Sequence, residues 1–366
     1  MKKIIAFILA FTFIFSLASC VQDGPSGDPS GDPSGNPNGD PSGNPDDDKD
    51  DGKDTIDIYL IAGQSNAVGC TAISDRTAAE KFIPKGGFAN VHYAGSARTG
   101  GNPFNNNEKQ WCKTNLGFGA NENMIGPEVG LAKALSEYYN EETGRHAGII
   151  KFAHGGSSVF DVSWGENATG NWVSPSYAKY LDVLYNDDDI TGGFYRGFLA
   201  QVKKNIEQIE AYSGHTKVNI VGLYWMQGET DRDSISEYRK SFKYLVEDLR
   251  KDLADIMLEF TNGESDCGAA DMPVLIGTIS MGFSLSSAST ATSVNGPFIA
   301  MQRGLASSIE NCYVVDNSNF PICKWENNAM VVVGTDRYHW NQADMLQIGM
   351  NVGKTFLDEI VNKVNK

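Results

Sequence analysis

Four segments of the 366-residue sequence carry side chains able to transfer an acyl group. Ser65 follows the apolar run Ile56–Ala62 across Gly63 and Gln64. A serine just after a buried strand, with glycine at the tight turn, presents its hydroxyl at the top of a sheet. That hydroxyl is a poor nucleophile until a neighbouring base takes its proton. Histidine does so near neutral pH, and a carboxylate fixes its tautomer and steadies the imidazolium. Asp336 and His339, three residues apart near the chain end, supply both groups: the carboxylate can reach Nδ1 while Nε2 faces Ser65. The developing oxyanion needs donors already in place. The backbone amides of Ser65 and Gly156 and the side-chain amide of Gln227 are the candidates.

Each candidate has a plainer reading. His154 is a rival base, but it precedes a glycine pair with no carboxylate at the same spacing, which suits a pocket-lining residue. Ser157 and Ser158 are rival hydroxyls that also read as turn residues satisfying local backbone. Gln227 can tie two loops together. Glu229 can replace Asp336 as the carboxylate or hold its loop by accepting backbone hydrogens. Gln64 and Asn66 flank the serine and organise its turn, and Glu128 at a helix start answers the helix dipole. Trp111, Trp164 and Trp172 sit in Gly- and Asn-rich surroundings, where they either stack on sugar rings or plug loops onto the core.

The elements that must position these groups follow from periodicity. Ile56–Ala62, Gly148–Ala153, Asn219–Trp225, Val274–Ile279 and Cys312–Val315 are nearly continuous in apolar residues, as strands buried on both faces of a parallel sheet are. Amphipathic stretches at Pro127–Tyr139, Phe194–Tyr212, Ser234–Glu259, Gly296–Ile309 and Gln342–Val364 lie between or after them. Pro127 suits a first helical position. Strand–helix alternation predicts a three-layer α/β/α domain with a parallel sheet of about five strands. In such sheets, sites form beyond the carboxyl ends of the strands, and all four chemical segments follow strand ends or precede the last helix.

GQSN at 63–66, IGPE at 125–128, GGSS at 155–158, WMQGETD at 225–231 and the terminal DRYH at 336–339, in this order, resemble the SGNH-hydrolase superfamily. More narrowly they resemble its sialate O-acetylesterase and acetylxylan esterase branch, carbohydrate esterase family six. The resemblance implies a flavodoxin-like fold and removal of O-acetyl groups from carbohydrates with no metal or organic cofactor. It makes Ser65 the nucleophile, His339 the base and Asp336 its partner, with Gly156 and Gln227 in the oxyanion hole. The superfamily's usual third-block asparagine is absent, and Gln227 stands at the corresponding turn. Sialic acid and xylan-type glycans are both open as substrate. Rival readings are a lipase-like esterase or acyltransferase on the same fold, and a non-catalytic glycan-binding lipoprotein.

The ends of the chain speak to location. Lys2 and Lys3 precede an apolar stretch from Ile4 to Leu17, and Leu17-Ala18-Ser19-Cys20 closes it, so residues 1–19 read as a lipoprotein signal peptide. Acyl chains on Cys20 would anchor the mature protein in one leaflet; the expected site is the bacterial cell envelope, at the outer membrane. Residues 20–54 form a Gly/Pro/Asp-rich tether unable to bury a core. Its ten aspartates against two lysines account for half of the formal net charge of −16. No basic footprint for nucleic acid is present. Residues 55–366 form the esterase domain, whose oligomeric state the sequence leaves open. Its five cysteines admit Cys312–Cys323 and Cys70–Cys112 as pairings.

Overall fold

The computed structural model describes residues 54–98, 106–162, 171–186 and 190–362. The leader, Cys20, nearly all of the tether and Trp164 lie outside the described residues. The strands are β1 (Thr55–Gly63), β2 (Thr71–Ala72), β3 (Val91–Arg98), β4 (Asn106–Lys113), β5 (Met124–Ile125), β6 (His146–His154), β7 (Lys217–Met226), β8 (Val274–Gly277), β9 (Cys312–Val315), β10 (Cys323–Glu326) and β11 (Ala329–Val332). The helices are α1 (Ser65–Val68), α2 (Arg76–Phe82), α3 (Glu128–Leu135), α4 (Pro175–Leu181), α5 (Gly193–Glu207), α6 (Ile209–Ser213), α7 (Ile235–Phe260), α8 (Gly296–Ala306) and α9 (Gln342–Phe356).

Seven strands form the main sheet in the order β4-β3-β6-β1-β7-β8-β9. All neighbours run parallel except β4, which is antiparallel to β3 at the edge. The five apolar runs are the five strands β1, β6, β7, β8 and β9, and their order is that of a flavodoxin-like sheet with β1 beside the switch point. The expected sheet of about five strands is extended by the β3–β4 hairpin beyond β6.

Side chains alternate across β1 because successive Cβ atoms point to opposite faces. Ile56, Ile58, Leu60 and Ala62 join a core with α5, α7 and α8, through residues such as Phe198, Leu249 and Phe298. Tyr59 and Ile61 join the opposite core with α3 and α9, through Leu131, Leu135, Ile348 and Val352. Two helical layers therefore sandwich the sheet. Pro127 caps α3 one residue before its first turn instead of occupying it.

The cysteine pairings are corrected here, and the two readings of the tryptophans are decided. All five cysteines of the domain are free. Cys312 packs into one core and Cys323 into the other, so the sheet stands between them. Cys112 lies level with Tyr93 midway along the sheet, whereas Cys70 lies past the end of β1, close enough to Lys151 and Asp336 to feel their charges. Trp111 and Trp172 are core residues, not cleft walls: both are buried, and their indole N–H groups donate to Asn205 O at 2.9 Å and Ser157 Oγ at 2.9 Å.

Candidate active site

At the carboxyl end of β1 the chain must turn sharply while still packed against β7. Gly63 makes this possible: its φ is +144°, and a Cβ there would lie 2.1 Å from Met226 O. The Gln64 amide then donates to Met226 O at 3.0 Å, and α1 begins at Ser65. From Ile56 to Gly69 every residue is buried except Ser65, which is partly exposed. As the first residue of its helix, Ser65 has an amide with no intrahelical acceptor.

The Asp336–His339 loop arrives beside this turn. Asp336 Oδ2 lies 2.8 Å from His339 Nδ1, while Oδ1 accepts from the Tyr338 and His339 amides at 2.7 and 2.9 Å. Partial burial works against the Asp336 charge, but these hydrogen bonds and the imidazole outweigh it and hold the carboxyl below its usual range. Asn66 ties the loop to the serine turn. Its Nδ2 donates to Tyr338 O at 3.2 Å and to Glu229 Oε1 at 2.7 Å. Three segments far apart in sequence thus meet on one amide. Burial raises the Glu229 carboxyl, and the Asn66 bond and the charge of His339 partly offset it.

The β6 loop closes the other side. Gly156 has a φ of +64°, a left-handed conformation suited to glycine, and a Cβ there would meet nothing within 4 Å. His154 is buried, with Nδ1 3.0 Å from Gly155 O and its ring stacked on Phe194 at 4.2 Å. Ser157 Oγ is engaged by Trp172, and Ser158 Oγ accepts from the Phe160 and Asp161 amides. Gln64 Oε1 faces the Gly228 and Thr230 amides at 3.4 and 3.3 Å, joining the serine turn to the β7 loop.

Gln227 stands differently from its expected oxyanion role. Both hydrogens of its side-chain amide are committed, to Ser157 O at 2.9 Å and to Asp231 Oδ2 at 2.7 Å. Exchanging its N and O would set oxygen against two acceptors, so hydrogen bonding fixes the orientation. The side chain joins the β6 and β7 loops. Asp231 also accepts from the Val159 amide at 2.9 Å, and burial pushes its carboxyl up to about 6.

Sequence reasoning missed Lys151. It is wholly buried in the middle of β6, and its Nζ donates to Glu128 Oε2 at 2.8 Å, Phe118 O at 2.9 Å and Val68 O at 3.0 Å. Glu128 is therefore half of a buried ion pair, which also accepts from the Gly126 amide, and not only an answer to the α3 dipole. The signal was present: a lone lysine inside the apolar run Ile149-Ile150-Lys151-Phe152-Ala153 needs a buried partner.

Residues 55–357 match the family of carbohydrate esterases described as sialic acid-specific acetylesterases. The chain belongs to this family. The carbohydrate esterase is similar in fold to NanS, with a TM-score of 0.50 at 13% identity over 84% of this chain and 98% of that one. A protein from Arabidopsis thaliana gives 0.47 at 14% identity, covering 82% and 97% of the two chains. A carbohydrate acetylesterase from Xanthomonas citri gives 0.43 at 13% identity, covering 82% and 54%. A search of curated proteins found no match to the esterase.

Proposed function

We propose that the esterase removes O-acetyl groups from an acidic sugar of the sialic acid class by two-step acyl transfer through Ser65. His339 takes the Ser65 hydroxyl proton as Oγ bonds to the acetyl carbonyl carbon. The resulting oxyanion rests on the Ser65 and Gly156 amides, while Gln227 holds the two loops that frame it. Collapse breaks the bond to the sugar oxygen, which leaves with the proton from His339. Water, deprotonated by the same histidine, then releases acetate from Ser65. The observation that carries this reading is the Asp336–His339 pair at 2.8 Å on a loop whose Tyr338 carbonyl is bonded to Asn66, the residue after Ser65.

The choice of an acidic sugar draws on the family description and on two guanidinium groups beside the site. Arg232 lies over the Phe283 ring at 4.7 Å and Arg337 over Tyr338 at 5.4 Å, and those two rings are 5.9 Å apart. Arg232 Nη1 and Arg337 Nε are buried with no hydrogen-bond partner among the described residues. Two guanidinium cations beside a reaction centre suit a carboxylate. Neutral acetylated xylan offers none.

Acetate release from an O-acetylated sialic acid and from acetylated xylo-oligosaccharide tests both halves. The reading expects the acidic substrate to be preferred and Ser65→Ala to lower its turnover at least about 10⁴-fold. A preference for xylan would overturn the sugar assignment, and an active Ser65→Ala enzyme would overturn the nucleophile.

A further inference from the structure

The four-residue helix α1 is too short to hold its own shape, so something outside it must fix where the Ser65 hydroxyl stands. The peptide unit joining Val68 to Gly69 is gripped on both edges. Its N–H donates to Ser65 O at 3.1 Å, and its carbonyl oxygen accepts from Lys151 Nζ at 3.0 Å. One rigid peptide plane therefore connects Lys151 to the backbone of the serine.

The same ammonium steadies what lies behind that plane. Phe118 O is its second acceptor at 2.9 Å, and the Ala120 amide two residues on donates to Gly69 O at 3.0 Å. The third acceptor is Glu128 Oε2, whose other oxygen takes the Gly126 amide at 2.8 Å. Gly126, Ile125 and Gly119 backbone atoms pack so closely on Gly69 that a Cβ there would lie within 2.5–2.8 Å of them. Three acceptors on one nitrogen match the three N–H bonds of an ammonium, whereas a neutral amine has two. Lys151 itself is anchored in β6, level with Ile61 of β1, so its backbone is fixed by the sheet.

We propose that Lys151 is a positioning residue for the reaction, setting the Ser65 hydroxyl through the Val68–Gly69 peptide. The proposal rests on the reading of Ser65 as nucleophile. Lys151 touches no substrate; it acts through the turn. Removing it frees the Val68 carbonyl and lets α1 shift against the His339 loop, and a misplacement of about 1 Å costs on the order of 100-fold in rate.

Lysine loss also leaves Glu128 buried without its partner, a purely structural injury. The pair of variants Lys151→Met and Glu128→Gln/Lys151→Met separates the two effects. The double variant leaves neither charge buried, and glutamine keeps an oxygen for the Gly126 amide. We expect Lys151→Met to lower both the thermal midpoint and kcat. The double variant should recover much of the midpoint while kcat stays about 10- to 100-fold down with KM within about two-fold. The rate at which a fluorophosphonate labels Ser65 should fall in step with kcat. Recovery of kcat along with the midpoint would reduce Lys151 to a structural role and overturn the proposal. If Lys151→Met does not fold, the double variant carries the same comparison. Failure of the underlying reading is distinguishable, because it would appear as activity in Ser65→Ala, whatever the Lys151 variants do.

Discussion

The two ends of β1 are built from similar polar groups and finished in opposite ways. At the amino end, buried Asp57 accepts from Tyr139 Oη at 2.8 Å, Arg145 Nη2 at 2.9 Å and Asn219 Nδ2 at 2.7 Å, and Tyr139 in turn meets Tyr59 Oη at 2.7 Å. Of that cluster, Arg145 Nε is left over. At the carboxyl end, Asn66 Oδ1, Gln227 Oε1, Glu229 Oε2, Arg232 Nη1 and Arg337 Nε are all buried and without a hydrogen-bond partner among the described residues. Buried polar atoms are nearly always bonded in folded proteins. The concentration of such exceptions at one end of the strand distinguishes it from the largely hydrogen-bonded cluster at the other. On the proposed function the carboxyl end is the one that reacts, while the better-satisfied amino end holds the fold.

Perturbing each end should separate rate from stability. The largest effect belongs to Ser65→Ala, which should leave the thermal midpoint unchanged while removing turnover. Asp336→Asn comes next. Its side chain is 48% exposed, so water takes over part of its work on the imidazole, and we expect kcat to fall about 10²-fold, less than for a buried triad carboxylate. At the other end, Asp57→Asn should cost about 2–3 kcal/mol in urea unfolding by unsettling Arg145 and its neighbours, with kcat unchanged. A comparable loss of kcat there would erase the distinction between the two ends.

The smallest effect concerns pH. Near the amino end, His92 Nε2 lies 3.1 Å from His146 Nδ1, His92 Nδ1 lies 2.9 Å from Tyr212 Oη, and the His215 ring is 4.8 Å from His146. Burial first, then the neighbouring His146, His215 and Lys113, lower His92 to about 4. The unfolded chain, with its histidine near its ordinary value of about 6.5, then takes up the proton first as pH falls. The stability from neutral His92 is present above about pH 6.5 and lost on the way down to about 4, by at most about 3 kcal/mol. Thermal midpoints measured across that range should fall for the wild type and fall less for His92→Gln. Parallel curves would show that the cluster is not the source.

How much of this was legible depended on whether the signal was local. The five apolar runs became five parallel strands because burial on both faces leaves a continuous record. The β3–β4 hairpin left none: Val91–Arg98 is interrupted by Gly95 and Ser96, and edge strand Asn106–Lys113 reads as polar loop. The Asp336–His339 pair could be read because its partners are three residues apart. Asn66 with Glu229, 163 positions away, could be listed as supporting groups but not joined. Gln227 was read as an oxyanion donor, since the acceptors that take its hydrogens, Ser157 O and Asp231, are brought to it only by folding.

The central claim is that Ser65 carries the acyl group, and active-site labelling tests it most directly. The native esterase is treated with a fluorophosphonate, residual acetate release is measured, and the modified peptide is identified by mass spectrometry. The account predicts one label on the peptide bearing Ser65, appearing at the rate at which activity is lost and absent from Ser65→Ala. A label on Ser157 or Ser158 that tracks inactivation, or loss of activity with Ser65 unmodified, would contradict it.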